Sequence, residues 1–194
     1  TLEMTVDNIA PAVVLTGDPT VTEGSLYTLT LGEVDDVGDD TVQTYIVNWD
    51  DGNSDTFQTS TLSQATHVYA TGPATPTITV DLVDEDGTHR AGRLSTLTVE
   101  DVAPVVGLSG AAAVNEGAPY TLTLGQVFDP GTDTVFRFVV NWGDGISDSY
   151  LTADLPSNPA DRQVTHEYAD GLSNPNLTVD LEDEDGVCPG AGNH

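Results

Sequence analysis

Acidic residues gather in short loops that occur in matching positions in the two halves of the chain. These are Asp7-Asn8, the loop 35–40 and the loop 84–87 in the first half, and Glu100-Asp101, Asp129-Pro130-Gly131 and the loop 183–186 in the second. Carboxylate and amide oxygens suit a hard cation that takes about six to eight oxygen ligands, which describes Ca²⁺. Mg²⁺ tolerates less irregularity in its ligands, so the chemistry that these residues predict is calcium binding.

Two other interpretations of the acidic loops are possible. Asp and Gly are good turn residues that stay solvated, and this explains most single Asp-Gly loops in proteins. Three such loops in each half of the chain favour a cation instead. An EF-hand is excluded, because aligning Asp84, Asp86 and Gly87 to its loop places Leu82 and Arg93 at the positions that require acids.

The remaining reactive side chains give weaker signals. His67 and His166 each lie two residues before a Tyr, with no second His or Cys at zinc-ligand spacing, so they are predicted to be structural. Cys188 is the only cysteine, which rules out an intrachain disulfide, and it is interpreted as a spare surface thiol. Paired carboxylates could serve a glycosidase, but these acids lie in turns, so no enzyme activity is expected.

The net charge limits the possible partners. The chain has 32 acidic residues, four arginines and no lysine, giving a formal charge of −28. Nucleic acids and anionic membranes would be repelled, and no apolar run is long enough to enter a bilayer. Such a charge strains the compact state unless bound divalent cations or a high-salt habitat screen it. Disorder is the alternative for so acidic a chain, but the regular strand pattern argues against it.

The elements that must position these loops centre on a tryptophan strand. Residues 45–52 and 138–145 each alternate aromatic and β-branched residues up to a Trp, followed by an acidic turn that ends in Gly. Alternation predicts a strand, and the Asp-Gly turn predicts a tight hairpin. Tyr45, Val47 and Trp49 share one face, so the tryptophans are predicted to lie in a core.

The chain is an internal repeat. Trp142 follows Trp49 by 93 residues, and His166 follows His67 by 99, so the second copy gains six residues near position 158. Each copy shows about seven short strands separated by turn signals, which predicts a β-sandwich. Alternate loops of a sandwich gather at one end, so the acidic loops of each copy should converge.

The repeat also predicts the domain boundaries. We expect residues 1–7 to be the last strand of a preceding repeat, because Leu2, Met4 and Val6 match Ser95, Leu97 and Val99. Domain 1 then covers residues 8–101, and domain 2 covers residues 102–194 without its last strand. Residues 2–7 of a neighbouring molecule could fill that position by strand addition.

Three motifs resemble those of tandem PKD (polycystic kidney disease) repeats, an immunoglobulin-like family of secreted and surface proteins. The W-x-DG hairpin is matched by Val47–Gly52 and Val140–Gly145, the H-x-Y step by His67–Tyr69 and His166–Tyr168, and the D-x-x-G loop by Asp84–Gly87 and Asp183–Gly186. The resemblance covers nearly the whole chain. Asp50 departs from the pattern, because it stands where the family usually has Gly.

The resemblance implies an all-β fold of two tandem immunoglobulin-like sandwiches, the second lacking its last strand. It also implies calcium ligands, which carry over to Asn8, Asp36, Asp84, Asp101, Asp129 and Asp183. Calcium bound at the junction of the two domains would stiffen the linker between them and fix the angle between the domains.

The expected function is a calcium-stabilised extracellular spacer or adhesion module of a larger secreted or surface protein, in contact with neighbouring repeats. The alternative is an accessory domain of a secreted hydrolase that binds a protein or a glycan. An exposed row of aromatic side chains would favour that alternative, and its candidates are Phe57, Phe128 and Tyr150.

Overall fold

The computed structural model describes residues 2–38, 40–171 and 174–193. Three residues of the predicted features lie outside the described residues. They are Thr1 of the predicted first strand, Asp39 of the acidic loop 35–40 and His194 of the predicted second domain. The chain divides into two compact units, Thr1–Asp101 and Val102–His194, here called unit 1 and unit 2. Nearly all of the regular structure is β-strand, so the predicted all-β fold of tandem sandwiches is confirmed.

Unit 1 consists of two packed sheets and one additional strand pair. Its strands are β1 (Ala12–Thr16), β2 (Thr20–Thr22), β3 (Leu26–Asp35), β4 (Thr44–Asn48), β5 (Ser54–Gln58), β6 (Gln64–Val68), β7 (Ile78–Val83), β8 (Thr88–Leu94) and β9 (Thr98–Glu100). One sheet has the order β1-β3-β6 and the other β5-β4-β7-β8, and both are antiparallel. The strands β2 and β9 pair in parallel.

Unit 2 repeats the two sheets. Its strands are β10 (Val105–Gly110), β11 (Pro119–Phe128), β12 (Arg137–Asn141), β13 (Ser147–Leu151), β14 (Gln163–Glu167), β15 (Thr178–Glu182) and β16 (Val187–Asn193). The sheet orders are β10-β11-β14 and β13-β12-β15-β16, again antiparallel. Among the described residues of unit 2, no strand corresponds to β2 or β9.

The tryptophan strands lie in the cores, as predicted. Tyr45, Val47 and Trp49 on β4 and the turn after it are at most 2% exposed, and Trp142 is fully buried. Each strand is the second of a four-stranded sheet, so its inward face packs against the opposite sheet. Every second residue is buried along β7 and β15 as well, because successive side chains of a strand point to opposite faces.

Two observations bear on the predicted strands, and the assignment of residues 1–7 to a preceding repeat stays a prediction. Residues 2–10 belong to no strand, and the side chains of Leu2, Met4 and Val6 are 100%, 82% and 82% exposed. A single extended segment has no stability of its own, because its backbone groups need a neighbouring strand. In addition, β8 and β16 were not predicted, since their glycines and charged or polar side chains break the alternating pattern.

The six additional residues of unit 2 lie between β13 and β14, as the repeat predicts. This connection contains two short 3₁₀ helices, Thr152–Asp154 and Pro159–Asp161, and Asn158 caps the second by accepting a bond from the Ala160 N–H. No helix in the described ranges has the length and hydropathy needed to span a bilayer.

The turn after each tryptophan requires a left-handed backbone. Asp50 has φ +67°, and Gly143 occupies the matching position with φ +81°. The Asp50 carboxylate accepts a bond of 2.8 Å from the Thr77 N–H, which compensates for the unfavourable conformation. At Gly143 a Cβ would lie 2.7 Å from the backbone nitrogen of Asn176, so this site has no room for a side chain.

This difference predicts that Gly143→Asp destabilises unit 2, although aspartate is native at the matching position of unit 1. The backbone strain alone should cost about 1–3 kcal/mol, measured by urea unfolding. The matched variant Asp50→Gly relieves strain but loses the Thr77 bond, so its net effect should stay within about 1 kcal/mol. Equal effects of the two substitutions would contradict this explanation.

Candidate metal centre

The strand register of unit 1 brings the acidic loops 35–40 and 84–87 to the same end of the sandwich. Ala12 at the start of β1 pairs with Asp35 at the end of β3, and Thr44 at the start of β4 pairs with Val83 at the end of β7. A backbone bond from Gln43 N to Val83 O, 2.8 Å long, joins the two loops. The loops 36–43 and 84–87 therefore meet at one end of the sheets.

Asp84 is held in a fixed orientation by the loop that it begins. It is 6% exposed, and its Oδ1 accepts bonds of 2.8 and 3.0 Å from the N–H groups of Asp86 and Gly87. His89 Nε2 lies 3.3 Å from the same oxygen. Burial by itself would raise the pKa of Asp84, but these bonds outweigh it and hold the pKa below its ordinary value.

The oxygens that could bind a cation are the ones that this loop does not use. Within the described part of unit 1, Asp84 Oδ2 and both carboxylate oxygens of Asp36 are shielded from solvent and have no hydrogen-bond partner. A buried carboxylate oxygen without a partner is costly, because it has lost its hydration and gained nothing in exchange. Hard oxygen donors in this state fit a calcium ion.

A further carboxylate approaches the same cluster. Burial, followed by repulsion from Asp86 and Asp36 and then from Glu85 and Asp84, raises the pKa of Asp40. Burial is the larger cause, and the repulsion adds to it because like charges close to one another disfavour the ionised form. Glu85 serves a different role, since its Oε2 accepts a 2.9 Å bond from the Thr41 N–H and ties the two loops together.

Unit 2 builds the same arrangement at the corresponding end. Asp183 is 4% exposed, and its Oδ1 accepts bonds of 3.0 Å from the N–H groups of Asp185 and Gly186. Asp129 Oδ1 accepts a 2.9 Å bond from the Gly131 N–H, while its Oδ2 is buried and, among the described residues, unbonded. Glu184 accepts a 2.8 Å bond from the Thr134 N–H, as Glu85 does from Thr41.

Asp133 is the unit 2 counterpart of Asp40. One of its carboxylate oxygens lies within 4.8 Å of an oxygen of Asp129, and one lies within 4.8 Å of an oxygen of Asp185. Neither Asp40 nor Asp133 was among the predicted ligands. The signal that could have found them is the repeat itself, because the 93-residue offset maps one onto the other.

Cys188 stands where unit 1 has His89. Its Sγ lies 3.4 Å from Asp183 Oδ2, and the residue is half-buried. The sequence suggested a spare surface thiol, whereas the structure places the thiol against a carboxylate of the cluster. The thiol can donate a weak hydrogen bond there, where unit 1 has an imidazole.

Asn8 and Asp101 are the two predicted ligands that lie in the segments flanking the sandwiches, and both are exposed. Asn8 lies on the segment before β1. Asp101 is the exposed last residue of unit 1, and its backbone nitrogen packs against Gly72. Asp36 with Asp84, and Asp129 with Asp183, are therefore the predicted residues that lie in acidic clusters within single units.

Comparisons with known proteins concern the fold. Among solved structures, the chain is similar to the FN1–FN3 domains of chicken CNTN1, with 12% identity and a TM-score of 0.33 over 96% of this chain and 65% of that one. It is also similar to the central fibronectin-III array of RIM-binding protein, with 14% identity and a TM-score of 0.35 over 96% and 62%. This chain thus spans less than two thirds of the length of each.

No protein-family model and no curated protein matches the chain. The PKD resemblance therefore remains a resemblance in the quoted motifs. The sandwich fold itself follows from the strand pairing described above.

The candidate glycan-binding aromatics do not form an exposed row. Phe57 and Tyr150 pack against the cores of their units, whereas Phe128 is 67% exposed. A stacking surface for sugars needs several coplanar exposed rings. These three residues therefore give the accessory-domain alternative little support.

The histidines are structural, as predicted. His67 stacks on Trp49 with ring centroids 4.8 Å apart, and its Nε2 lies 2.7 Å from Asp51 Oδ2. Asp51 Oδ1 accepts a 3.0 Å bond from the Asn53 N–H, so this aspartate also caps its own turn. His166, Trp142 and Asp144 repeat the arrangement in unit 2 with nearly the same distances.

These bonds predict a signed dependence of stability on pH. Burial would raise the pKa of Asp51, but bonds from His67 and Asn53 outweigh it, and the His166 bond lowers the pKa of Asp144. Both pKa values lie below the ordinary 3.8, so the two carboxylates stabilise the fold above about that pH and stop doing so as pH falls through their lowered pKa values.

The test compares the chain with the double variant Asp51→Asn and Asp144→Asn by urea unfolding between pH 5 and pH 2. The difference in unfolding free energy should be largest at pH 5 and should shrink steadily below about pH 4. Taking the difference removes the general titration of the other acids. A difference that does not change with pH would contradict the prediction.

Proposed function

We propose that this chain is a non-catalytic, calcium-stabilised β-sandwich repeat that serves as a structural or adhesion module of a secreted or surface protein. The observation that carries the proposal is the set of buried carboxylate oxygens that, among the described residues, have no bond partner at Asp36, Asp84 and Asp129. Asp36 and Asp84 would hold the ion in unit 1, and Asp129 and Asp183 in unit 2. When bound, calcium would supply only the positive charge that these oxygens need.

The composition supports the same function. A chain with formal charge −28, four arginines and no lysine has few cations of its own to neutralise these clusters. Two of the arginines form ion pairs outside the clusters, Arg90 with Asp81 and Arg137 with Glu182. External cations are therefore the most direct way to relieve the repulsion.

The experiment that tests the proposal is thermal unfolding of the chain in chelator, with added calcium, magnesium or sodium at matched ionic strength. Calcium at a hundred times its dissociation constant should stabilise each occupied unit by about 2.7 kcal/mol, and sodium should add little. If sodium at matched ionic strength raised the Tm as much as calcium, general screening of charge would replace specific binding.

Asp40 is predicted to affect the pH dependence of stability in the opposite direction to Asp51 and Asp144. Because its pKa is raised, the ionised Asp40 destabilises the fold as pH rises through that pKa, and this cost is present at pH 7. Asp40→Asn should therefore raise the Tm of unit 1 in chelator and reduce the increase that calcium gives. A variant that is less stable than the parent chain in chelator would contradict the proposed repulsion.

A further inference from the structure

Unit 2 carries an arginine that lies over an aromatic ring of its core. The guanidinium carbon of Arg162 is 6.0 Å from the centre of the Phe138 ring, and Phe138 is fully buried. Arg162 Nε donates a 2.9 Å bond to the carbonyl of Pro156, and Nη2 donates a 3.3 Å bond to that of Ser157. The ring and the two carbonyls therefore hold a guanidinium, which is weakly hydrated and stacks well on aromatic rings.

Unit 1 has a short side chain at the matching position. The backbone N–H of Leu31 donates a 2.9 Å bond to Ser63 O, and that of Leu124 donates a bond of the same length to Arg162 O. Ser63 is therefore the counterpart of Arg162. It ends a connection between β5 and β6 that is six residues shorter than the one between β13 and β14, which carries the two carbonyls.

The corresponding space in unit 1 is an open cleft of about 560 Å³. It is lined by residues 31–34, by residues 60–63 and by Tyr45, which is the counterpart of Phe138. Val34 and Leu62 supply apolar surface, while the Tyr45 hydroxyl and the Ser60 carbonyl, 3.5 Å apart, supply polar atoms. This mixture suits an arginine side chain, because its methylene stem is apolar and its head is a hydrogen-bond donor.

The charge at the cleft differs between the units in the direction that favours an external cation. Glu33 lines the cleft and is exposed, whereas its counterpart in unit 2 is the neutral Gln126. The unit with its own arginine thus lacks a charge at this position, and the unit without the arginine has a carboxylate. A carboxylate can bind a guanidinium through two parallel N–H···O bonds.

We propose that the unit 1 cleft binds an arginine side chain of a partner protein. The guanidinium would pair with Glu33, and the stem would contact the apolar lining. Lysine fits less well, because its ammonium is more strongly hydrated and cannot form the two parallel bonds. The net charge of −28 also attracts a basic partner from a distance. The cleft residues do not belong to the acidic clusters, so the proposal goes beyond calcium binding and does not depend on it.

The test follows the backbone amide chemical shifts of the full chain during titration with the peptide acetyl-Gly-Arg-Gly-amide. Calcium is present at fixed ionic strength, so the acidic clusters are screened whether or not they bind calcium specifically. Saturable shifts are expected at residues 31–34 and 60–63. The same peptide with lysine in place of arginine should bind about 3- to 5-fold more weakly.

Three single substitutions separate the cleft from the general charge. Glu33→Gln should weaken binding of the arginine peptide about 3- to 5-fold, as expected for an exposed ion pair. Asp18→Asn is the matched control, because it removes the same charge from a residue that does not line the cleft, and it should leave binding unchanged. Ser63→Arg should abolish the shifts, because a guanidinium attached to the chain competes with the peptide at a high effective concentration.

The reverse test rebuilds the cleft in unit 2. Arg162→Ser together with Gln126→Glu removes the internal guanidinium and supplies the carboxylate, so the arginine peptide should now shift residues 124–127 as well. Circular dichroism shows whether each variant has the strand signal of the parent chain.

Four results would overturn the proposal. They are a parent chain without saturable shifts at the cleft, equal binding of the arginine and lysine peptides, an effect of Asp18→Asn as large as that of Glu33→Gln, and full binding to folded Ser63→Arg.

Discussion

Asp36→Asn is expected to remove most of the calcium-dependent stabilisation of unit 1 while leaving the fold intact. Both Asp36 oxygens are buried and, within the described chain, unbonded, so the substitution removes no hydrogen bond of the fold. It replaces one oxygen donor with an amide nitrogen, which cannot bind calcium. A loss of about 100-fold in affinity would reduce a calcium-dependent rise in Tm of roughly 10–20 °C to a few degrees.

In chelator, Asp36→Asn should not lower the Tm of unit 1. Removing a buried negative charge that has no partner relieves a cost, so the variant should melt at or above the Tm of the parent chain when calcium is absent. Asp84→Asn should also reduce the response to calcium, because its unbonded oxygen is replaced. In chelator it should lower the Tm instead, because the bonds from Asp86 and Gly87 outweigh burial and lower the pKa of Asp84, and the ionised form therefore stabilises the fold.

The matched control is Asp18→Asn, which removes the same charge from the opposite end of unit 1, two residues after β1 ends. Isothermal titration and thermal unfolding should show calcium binding close to that of the parent chain. If Asp18→Asn reduced the response to calcium as much as Asp36→Asn did, the response would reflect total charge rather than a site.

Trp49→Ala is expected to unfold unit 1 at temperatures where the parent chain is stable. The indole is fully buried, stacks on His67 and donates a 2.8 Å bond from Nε1 to Asp55. Removing a buried aromatic side chain costs about 3–5 kcal/mol, which is a large part of the stability of a small domain. The Tm of unit 1 should fall by roughly 15–30 °C.

The two tryptophans allow each unit to be followed separately. In Trp49→Ala the only remaining indole is Trp142, so fluorescence reports unit 2 while circular dichroism reports all strands. Trp49→Phe keeps a ring in the core but loses the Nε1–Asp55 bond, so it should fall between the parent chain and the alanine variant. An alanine variant that keeps the parent Tm would show that the indole does not carry the stability assigned to it.

The repeat and the alternation of side chains predicted most of the fold. The strand containing Tyr45 and Val47 could be predicted because alternation is a local property, set by the two-residue period of a strand. The strands β8 and β16 could not, because their stability comes from backbone bonds to β7 and β15 rather than from their own side-chain pattern. The segment 2–7 shows the converse, since its pattern is that of a strand but no described partner pairs with it.

For the candidate site, the sequence by itself determined that acids would recur in loops of both copies and that Asp36, Asp84, Asp129 and Asp183 would be among them. Only the tertiary structure decided which of their oxygens are consumed by the loops and which remain buried without a bond. It also brought Asp40 and Asp133 into the clusters. The physical reason is that turn chemistry acts over a few residues, whereas burial and proximity depend on the register in which distant strands pair.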